Sequence, residues 1–325
     1  MSSLTVSLPD YEAITEACGL LDRSERGKLA LTGAGAKTFL HGQVSNDIEG
    51  LEPGTGCYAA FLTPKGKMLG DLRVLDTGEE LLLDTERCAL QALFNMIRRF
   101  SIGYDVELHK RTLESGLLSL IGPRAGEVLG AAALPEREHA HIALAVAGIE
   151  ARAVRTDVGI DLLCAAADTP ALSAALAQRG AQPVGEEAAE CLRIEHGRPR
   201  YGVELDDTVI PQEAGLNERA VSFTKGCYVG QETVARLFYR GKPNRRLRGL
   251  RCQAPVRPGE VVRLEGRIVG TVGSAAQSPR FGMIALALVR REAPPGSAVS
   301  VGEHGVAATV VELPFEASSG VAFEA

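Results

Sequence analysis

The sequence contains no tryptophan and few aromatic residues of any kind, nine phenylalanines and six tyrosines in 325 residues. Aliphatic side chains must therefore fill most of the core, and a stacking platform for single-stranded nucleic acid has little to be built from. Closely spaced cysteines are also missing. Seven stand at 18, 57, 88, 164, 191, 227 and 252, the nearest two 25 positions apart. No CxxC or similar pair exists to clamp zinc or an iron–sulfur cluster. The odd, dispersed set suits a reducing cytoplasm, with six of the seven read as small buried hydrophobes. The longest apolar run, 282–289, is far shorter than the ~20 residues of a membrane helix. No basic residue precedes Arg23, and Asp10 and Glu12 stand where a secretory leader would be apolar. A soluble, cytoplasmic protein with no membrane partner is expected. The net charge of −6 argues against direct nucleic-acid binding, because no global positive field attracts phosphates.

What is present is ordinary globular composition, 45% hydrophobic and 23% charged, with 36 glycines that promise many turns. The length suits two domains or three small ones. Strands are expected at 29–32, 57–63, 67–76, 81–84 and 104–109, with helices at 36–43 and 86–100. In the second helix Leu90, Leu93, Phe94 and Ile97 share one face. A second cycle follows: strand 117–121, helix 124–130, strands near 141–147, 151–156 and 160–164, and helices 170–179 and 186–196. After about residue 244 short valine-rich segments recur between glycines and prolines, the pattern of a small antiparallel barrel or sandwich. A loose tail is expected from Ser318.

Several local patterns have plain explanations. Gly33-Ala34-Gly35-Ala36-Lys37-Thr38 fits neither a dinucleotide fingerprint nor a P-loop and reads as a strand-to-helix turn. His139 and His141 form an H-x-H expected on one face of a strand, with no third metal ligand nearby. Glu204, Asp206 and Asp207 read as solvated turn residues. From 236 to 251 there are seven Lys/Arg and no acid, which marks a local anion-binding surface or a solvated strand edge.

The most informative stretch is Lys225-Gly226-Cys227-Tyr228-Val229-Gly230-Gln231-Glu232. Two glycines frame a cysteine ahead of a helix expected at 231–238. A nearby lysine and a helix N-terminus both favour thiolate, and the glycines let the backbone turn and leave the sulfur accessible. Cys227 is a functional thiol or a packed small residue, and the second alternative leaves its setting unexplained.

This octapeptide resembles the KGCYxGQE signature of the YgfZ family of folate-binding proteins, related to the T-protein (aminomethyltransferase) of the glycine cleavage system. Phe39-Leu40-His41-Gly42-Gln43-Val44-Ser45-Asn46-Asp47, Thr63-Pro64-Lys65-Gly66-Lys67-Met68, Asp71-Leu72-Arg73, Arg193-Ile194-Glu195-His196-Gly197-Arg198-Pro199 and Ile210-Pro211-Gln212-Glu213 agree in order and spacing. The resemblance implies an α+β protein, a three-lobed ring of two ferredoxin-like α+β lobes and a small C-terminal antiparallel β-barrel. Tetrahydrofolate would occupy the central channel. The lobes are expected at 1–115, 116–243 and 244–325, with the motif segment crossing back towards the first.

By the same resemblance the protein would assist synthesis or repair of iron–sulfur clusters in client enzymes such as radical-SAM methylthiotransferases, holding no cluster itself. Its partners would be the folate and iron–sulfur client or assembly proteins. Glu195 matches a pterin-binding glutamate, and a carboxylate can accept two N–H bonds from such an edge; the alternative is an exposed helix residue. Asp71 falls where the T-protein has its catalytic aspartate. Arg236 and the basic run are candidates for the anionic glutamate tail. Tyr228 lines the channel or packs in the core, and Lys225, Gln231 and Glu232 complete the expected binding set. T-proteins carry an acidic residue in place of Cys227, which argues against simple aminomethyl transfer, while Glu195 and Asp71 argue for it. Three functions stay open: accessory factor with an essential Cys227, folate-dependent aminomethyl- or methyltransferase, and non-catalytic folate sensor or scaffold.

Overall fold

The computed structural model describes residues 4–130 and 133–316, so the tail expected from Ser318 lies outside the described residues. The chain opens with β1 (Leu4–Thr5), α1 (Leu8–Glu16) and β2 (Gly19–Asp22). Next come β3 (Gly27–Thr32), α2 (Ala36–Gln43), β4 (Thr55–Leu62), β5 (Met68–Asp76), β6 (Leu81–Thr85), α3 (Leu90–Phe100) and β7 (Glu107–Lys110). The second cycle is β8 (Ser115–Ile121), α4 (Ala125–Leu129), β9 (His141–Val146), β10 (Ile149–Arg155), β11 (Gly159–Ala165), α5 (Thr169–Gln178), β12 (Gln182–Pro183) and α6 (Glu186–Glu195). Helices α7 (Asn217–Ala220) and α8 (Gln231–Arg240) lead to β13 (Arg245–Cys252), β14 (Val261–Leu264), β15 (Arg267–Ser278), β16 (Gly282–Arg290), β17 (Ala298–Val301) and β18 (Val306–Val311).

Period-two alternation sets which face each strand buries. In β5, Leu72 and Val74 enter a core with Phe39, Leu40, Leu93 and Ile97 of α2 and α3. Asp71 and Arg73, alternating with them, point to the opposite face and line a cavity. In β8 and β11, Leu118, Leu120, Ile160 and Leu162 meet Leu172 and Leu176 of α5, while Ser119 and Asp161 line that same cavity. Each lobe is thus a sheet with helices on its aliphatic face, and the two polar faces look at one another. The strand orders are β4-β5-β6-β3-β7 and β12-β2-β8-β11-β10-β9.

The third lobe is a closed six-strand antiparallel barrel, β15-β14-β17-β18-β13-β16, in which β16 returns to β15. Strand β1 adds to β15 in parallel. The expectation that residues 1–115 form the first lobe is corrected here. Strand β2 pairs with β8 and β12 in the second sheet, and α1 packs Ile14 against Ala188, Ala189 and Leu192 of α6. Contacts made by the N-terminal segment are distant in sequence, which is why local pattern could not assign it.

The motif segment returns to the first lobe. Tyr228 and Val234 share a core with Ala60, Leu62 and Met68 of the β4–β5 hairpin. Gly230 begins α8 with φ +85, and a Cβ there would lie 2.6 Å from the Thr63 carbonyl oxygen and 3.0 Å from Leu62. Gly230→Ala therefore meets both backbone strain and a clash with backbone, and should cost about 1–3 kcal/mol. A urea unfolding midpoint unchanged from the parent would contradict this.

Candidate functional site

Between the two polar sheet faces and α6 lies a cavity of about 260 Å³. A second space of about 940 Å³ opens between α1, α6 and the β15–β16 turn. Glu138, Thr156, Asp157, Val158, Leu192 and His196 line both, so the two adjoin as an inner and an outer chamber of one region between the lobes, the channel. The outer space has the size of small-molecule sites, which run ~300–1,000 Å³, and the inner one falls just below that range.

The inner wall is a lattice of arginines and carboxylates. Asp84 accepts from Arg26 at 2.8 and 3.1 Å and from Arg73 Nε at 2.7 Å. Arg73 Nη1 reaches across to Asp161 at 2.5 Å, which also accepts from Ser119 at 2.6 Å. Burial alone would raise the Asp84 carboxyl, but the two guanidinium groups outweigh it and hold it well below the usual carboxylate range. On α6, Arg193 donates to Glu190 and Glu204, and Glu204 also accepts from Ser274 of β15, tying the helix to the barrel.

Asp71 differs from its neighbours because no arginine pairs with it. Its Oδ2 accepts from Tyr58 Oη at 2.6 Å. Burial pushes its carboxyl up to about 6, opposed by the Tyr58 bond and helped by nearby Glu86. A group poised there can gain or lose a proton near neutrality.

Glu195 closes the C-terminal turn of α6 and is buried. It lines the outer space and accepts from Tyr11 at 2.9 and 3.0 Å, Ser278 at 2.5 Å and the Cys191 thiol at 3.6 Å. The alternative of an exposed helix residue is excluded. Burial and the adjacent carboxylate hold the Tyr11 hydroxyl well above its ordinary range, so it stays a donor.

Sequence expectation and structure part company over the motif. Asp71 and Glu195 both lie on the channel; Lys225, Cys227, Tyr228, Gln231, Glu232 and Arg236 are absent from its lining. Tyr228 is a core residue. The Lys225 ammonium donates to the carbonyls of His41 and of Val44 and lies 4.9 Å from the Tyr228 ring centre. It is committed to holding the segment down rather than to the thiol, and burial pushes it to about 8. Cys227 is exposed, as is Cys88, so five rather than six cysteines are packed at least in part. In the basic run Arg245 and Arg248 pair with Glu213 and Glu312, while Arg236, Arg240, Lys242 and Arg246 stay exposed.

Other expectations are also corrected. Glu204 is buried in the lattice rather than solvated, although Asp206 and Asp207 are exposed. His139 precedes β9 in a left-handed conformation and lines the inner cavity, whereas His141 bonds to the Thr55 carbonyl and Arg152. The pair does not share a strand face. Gly33 and Gly35 pack against the Asp105 backbone in an ordinary turn. Sequence reasoning missed Tyr58, Asp84 and Asp161 as channel residues. The signal available was a charged or polar residue at alternate positions of otherwise aliphatic strands. Among the described residues no cluster of three or more His, Cys, Asp or Glu is arranged to hold a metal, and no helix is long and apolar enough to cross a membrane.

Because the Asp71 carboxyl is raised from 3.8 to about 6, the folded state prefers it protonated. Its ionisation costs stability above that pH, and the cost fades as pH falls towards about 4. Asp71→Asn keeps an acceptor for Tyr58 and cannot ionise. It should be more stable than the parent by on the order of 1–3 kcal/mol near pH 8 and converge with it near pH 4. Equal denaturant midpoints across that range would show that the carboxyl is not raised.

Comparison with known proteins agrees with this architecture along nearly the whole chain. The GCVT N-terminal domain family matches residues 4–225, and the glycine cleavage T-protein C-terminal barrel domain matches residues 245–316. The chain is 33% identical over 327 residues to an aminomethyltransferase of Geobacillus kaustophilus, covering 94% of this chain and 89% of that protein. It is 31% identical over 317 residues to an aminomethyltransferase of Rubrobacter xylanophilus, covering 94% and 85%. The crystal structure of the glycine cleavage system aminomethyltransferase T from Bartonella henselae superposes with a TM-score of 0.84 at 26% identity, over 95% of this chain and 89% of that one. With both domains matched in order and the same three lobes in place, this chain belongs to the glycine cleavage T-protein family.

Proposed function

We propose that the channel binds tetrahydrofolate or a derivative, and that the protein serves iron–sulfur client enzymes as an accessory factor of the YgfZ type. The observation that carries this reading is a pair of adjoining chambers between the lobes, with Asp71 on the inner and Glu195 on the outer, in a chain that also holds an intact KGCYVGQE segment whose cysteine is exposed. The donor set suits a reduced folate. A pterin edge offers N–H donors, and Glu195 Oε2 accepts from Tyr11 alone, which leaves it a free lone pair. Arg280, exposed on the outer lining, has no carboxylate partner among the described residues and suits an anionic tail better than the distant Arg236. Bound there, a reduced folate supplies amine nitrogens that carry one-carbon units. Asp71 would hold or release a proton at its carboxyl, steadied by Tyr58. Cys227, outside the channel lining, can meet a client protein without entering it.

Aminomethyl transfer is the second reading, favoured by the proton-poised Asp71 and by relatives named for that activity. In anaerobic calorimetry wild type should give saturable tetrahydrofolate binding, and Glu195→Gln binding weaker by roughly tenfold, the loss of a charge-assisted hydrogen bond. No heat of binding in wild type would end the folate reading. Cys227→Ala should bind folate normally yet fail to restore methylthiotransferase activity in cells lacking the protein. Full restoration would remove the thiol from the function, and methylene-tetrahydrofolate formed from an aminomethylated lipoyl carrier would favour the second reading.

A further inference from the structure

We propose that the outward side of α8 is a docking surface for an acidic protein partner, whose carboxylates pair with Arg236, Arg240, Lys242 and Arg246 around an aromatic centre of Phe238 and Tyr239. The inference rests on the accessory-factor reading and gives the client enzyme a place to sit beside Cys227.

The aromatic centre is the first reason. A surface helix ordinarily buries an apolar stripe, yet of the ten residues of α8 only Val234 is buried. Phe238 is 47% exposed and Tyr239 67%. Both rings are nevertheless held in place. Phe223 stacks on Phe238 with ring centres 3.7 Å apart and planes at 16°, and Tyr239 meets Phe238 edge-on at 5.0 Å. Phe223 in turn packs on the core beneath the β4–β5 hairpin. A cluster fixed before a partner arrives loses little side-chain entropy on binding, and exposed aromatics are enriched where proteins meet. The exposed Cys227 follows Phe223 by four positions, so the two lie within about 14 Å of one another.

The charge is the second reason. Arg236, Arg240, Lys242 and Arg246 are exposed and form no ion pair among the described residues, whereas Arg245 and Arg248 of the same run are held by Glu213 and Glu312. Glu232, the one acid of α8, stands in its first turn and pairs with none of them. Arg236 and Arg240 are one turn apart on the helix, a like-charge arrangement that weakens it unless an anion comes between. The whole chain carries a net charge of −6, so an acidic partner is repelled by most of the surface and drawn to this patch. The field thus sets the side of approach as well as the sign of the partner.

A protein fits this surface better than a nucleic acid. Phe223 and Phe238 turn ring faces on each other and Tyr239 packs edge-on, which is not the splayed platform on which bases stack. Phosphates would also be opposed by the overall negative charge along the rest of a long strand.

Surface plasmon resonance on an immobilised radical-SAM methylthiotransferase tests this with the full chain. Wild-type association should slow as salt is raised. The triple variant Arg240→Glu, Lys242→Glu, Arg246→Glu should associate about tenfold more slowly at low salt and approach wild type at high salt. Tyr239→Ser should dissociate roughly five- to thirtyfold faster, as for a central interface aromatic. All the altered side chains are exposed, so each variant should keep the parent's urea midpoint, and the salt dependence of wild type stands as a readout without any variant. Wild type that restores methylthiotransferase activity in cells lacking the protein, while its binding is absent or indifferent to salt and to both variants, would overturn the docking surface and leave the accessory-factor reading intact. Variants that bind the enzyme normally but lose binding of transfer RNA would assign the patch to nucleic acid and overturn it too. Wild type that neither binds the enzyme nor restores its activity would overturn both.

Discussion

Arg73 spans the gap between the two sheets, with Nε on Asp84 of β6 and Nη1 on Asp161 of β11. Three buried charged groups on two lobes are thereby fixed relative to one another. Such a bridge adds little net stability, because desolvation offsets most of the Coulombic gain. Losing one partner, however, strands the others in a low-dielectric interior, so alternative lobe arrangements are penalised by several kcal/mol. Arg26 doubles the hold on Asp84, and Ser119 completes Asp161. The lattice works chiefly as a register device, and the cavity between the sheets exists because charged side chains hold open a space that aliphatic ones would have filled.

The same lattice sorts the remaining groups by what they lack. Asp71 has no guanidinium partner, so burial dominates and its carboxyl rises. At His139 burial, with Arg73 and Arg219 adding to it, outweighs the nearby carboxylates, and its ring falls. Two groups on one wall are thus pushed in opposite directions, one towards proton exchange near neutrality and the other towards a permanently neutral acceptor. At the far end of the channel, Glu195 joins α1, α6 and β15 through Tyr11 and Ser278. Any ligand that engages this carboxylate also touches the contact between N-terminal segment and barrel.

Local pattern was enough for most of the fold. The helix expected over 36–43 matches α2, and the valine-rich segments after residue 244 form the strands β13 to β18 of the expected antiparallel barrel. It did not reveal α1 and β2. Their apolar residues are few, and β2 is a four-residue strand defined by pairing with β8 almost a hundred positions later. The site divides in the same way. Asp71 and Glu195 were reached through resemblance. Arg73 was within the quoted stretches, but its bridge to Asp161 spans 88 positions and no local spacing implies it. The motif misled in one respect. Its glycine at 230 and lysine at 225 dock the segment on the first lobe, through the Thr63 turn and the carbonyls of α2, rather than aim Cys227 into the channel. Sequence constrains this segment through packing as well as chemistry, and the two leave the same imprint.

The account stands or falls on where the ligand binds. Hydrogen exchange followed by mass spectrometry, with and without tetrahydrofolate, measures this directly along the whole chain. Slowed exchange is predicted around 138–141, 155–161 and 192–196, which surround the channel, with 225–240 left unchanged. Protection confined to 225–240, with the channel segments unaffected, would contradict the account.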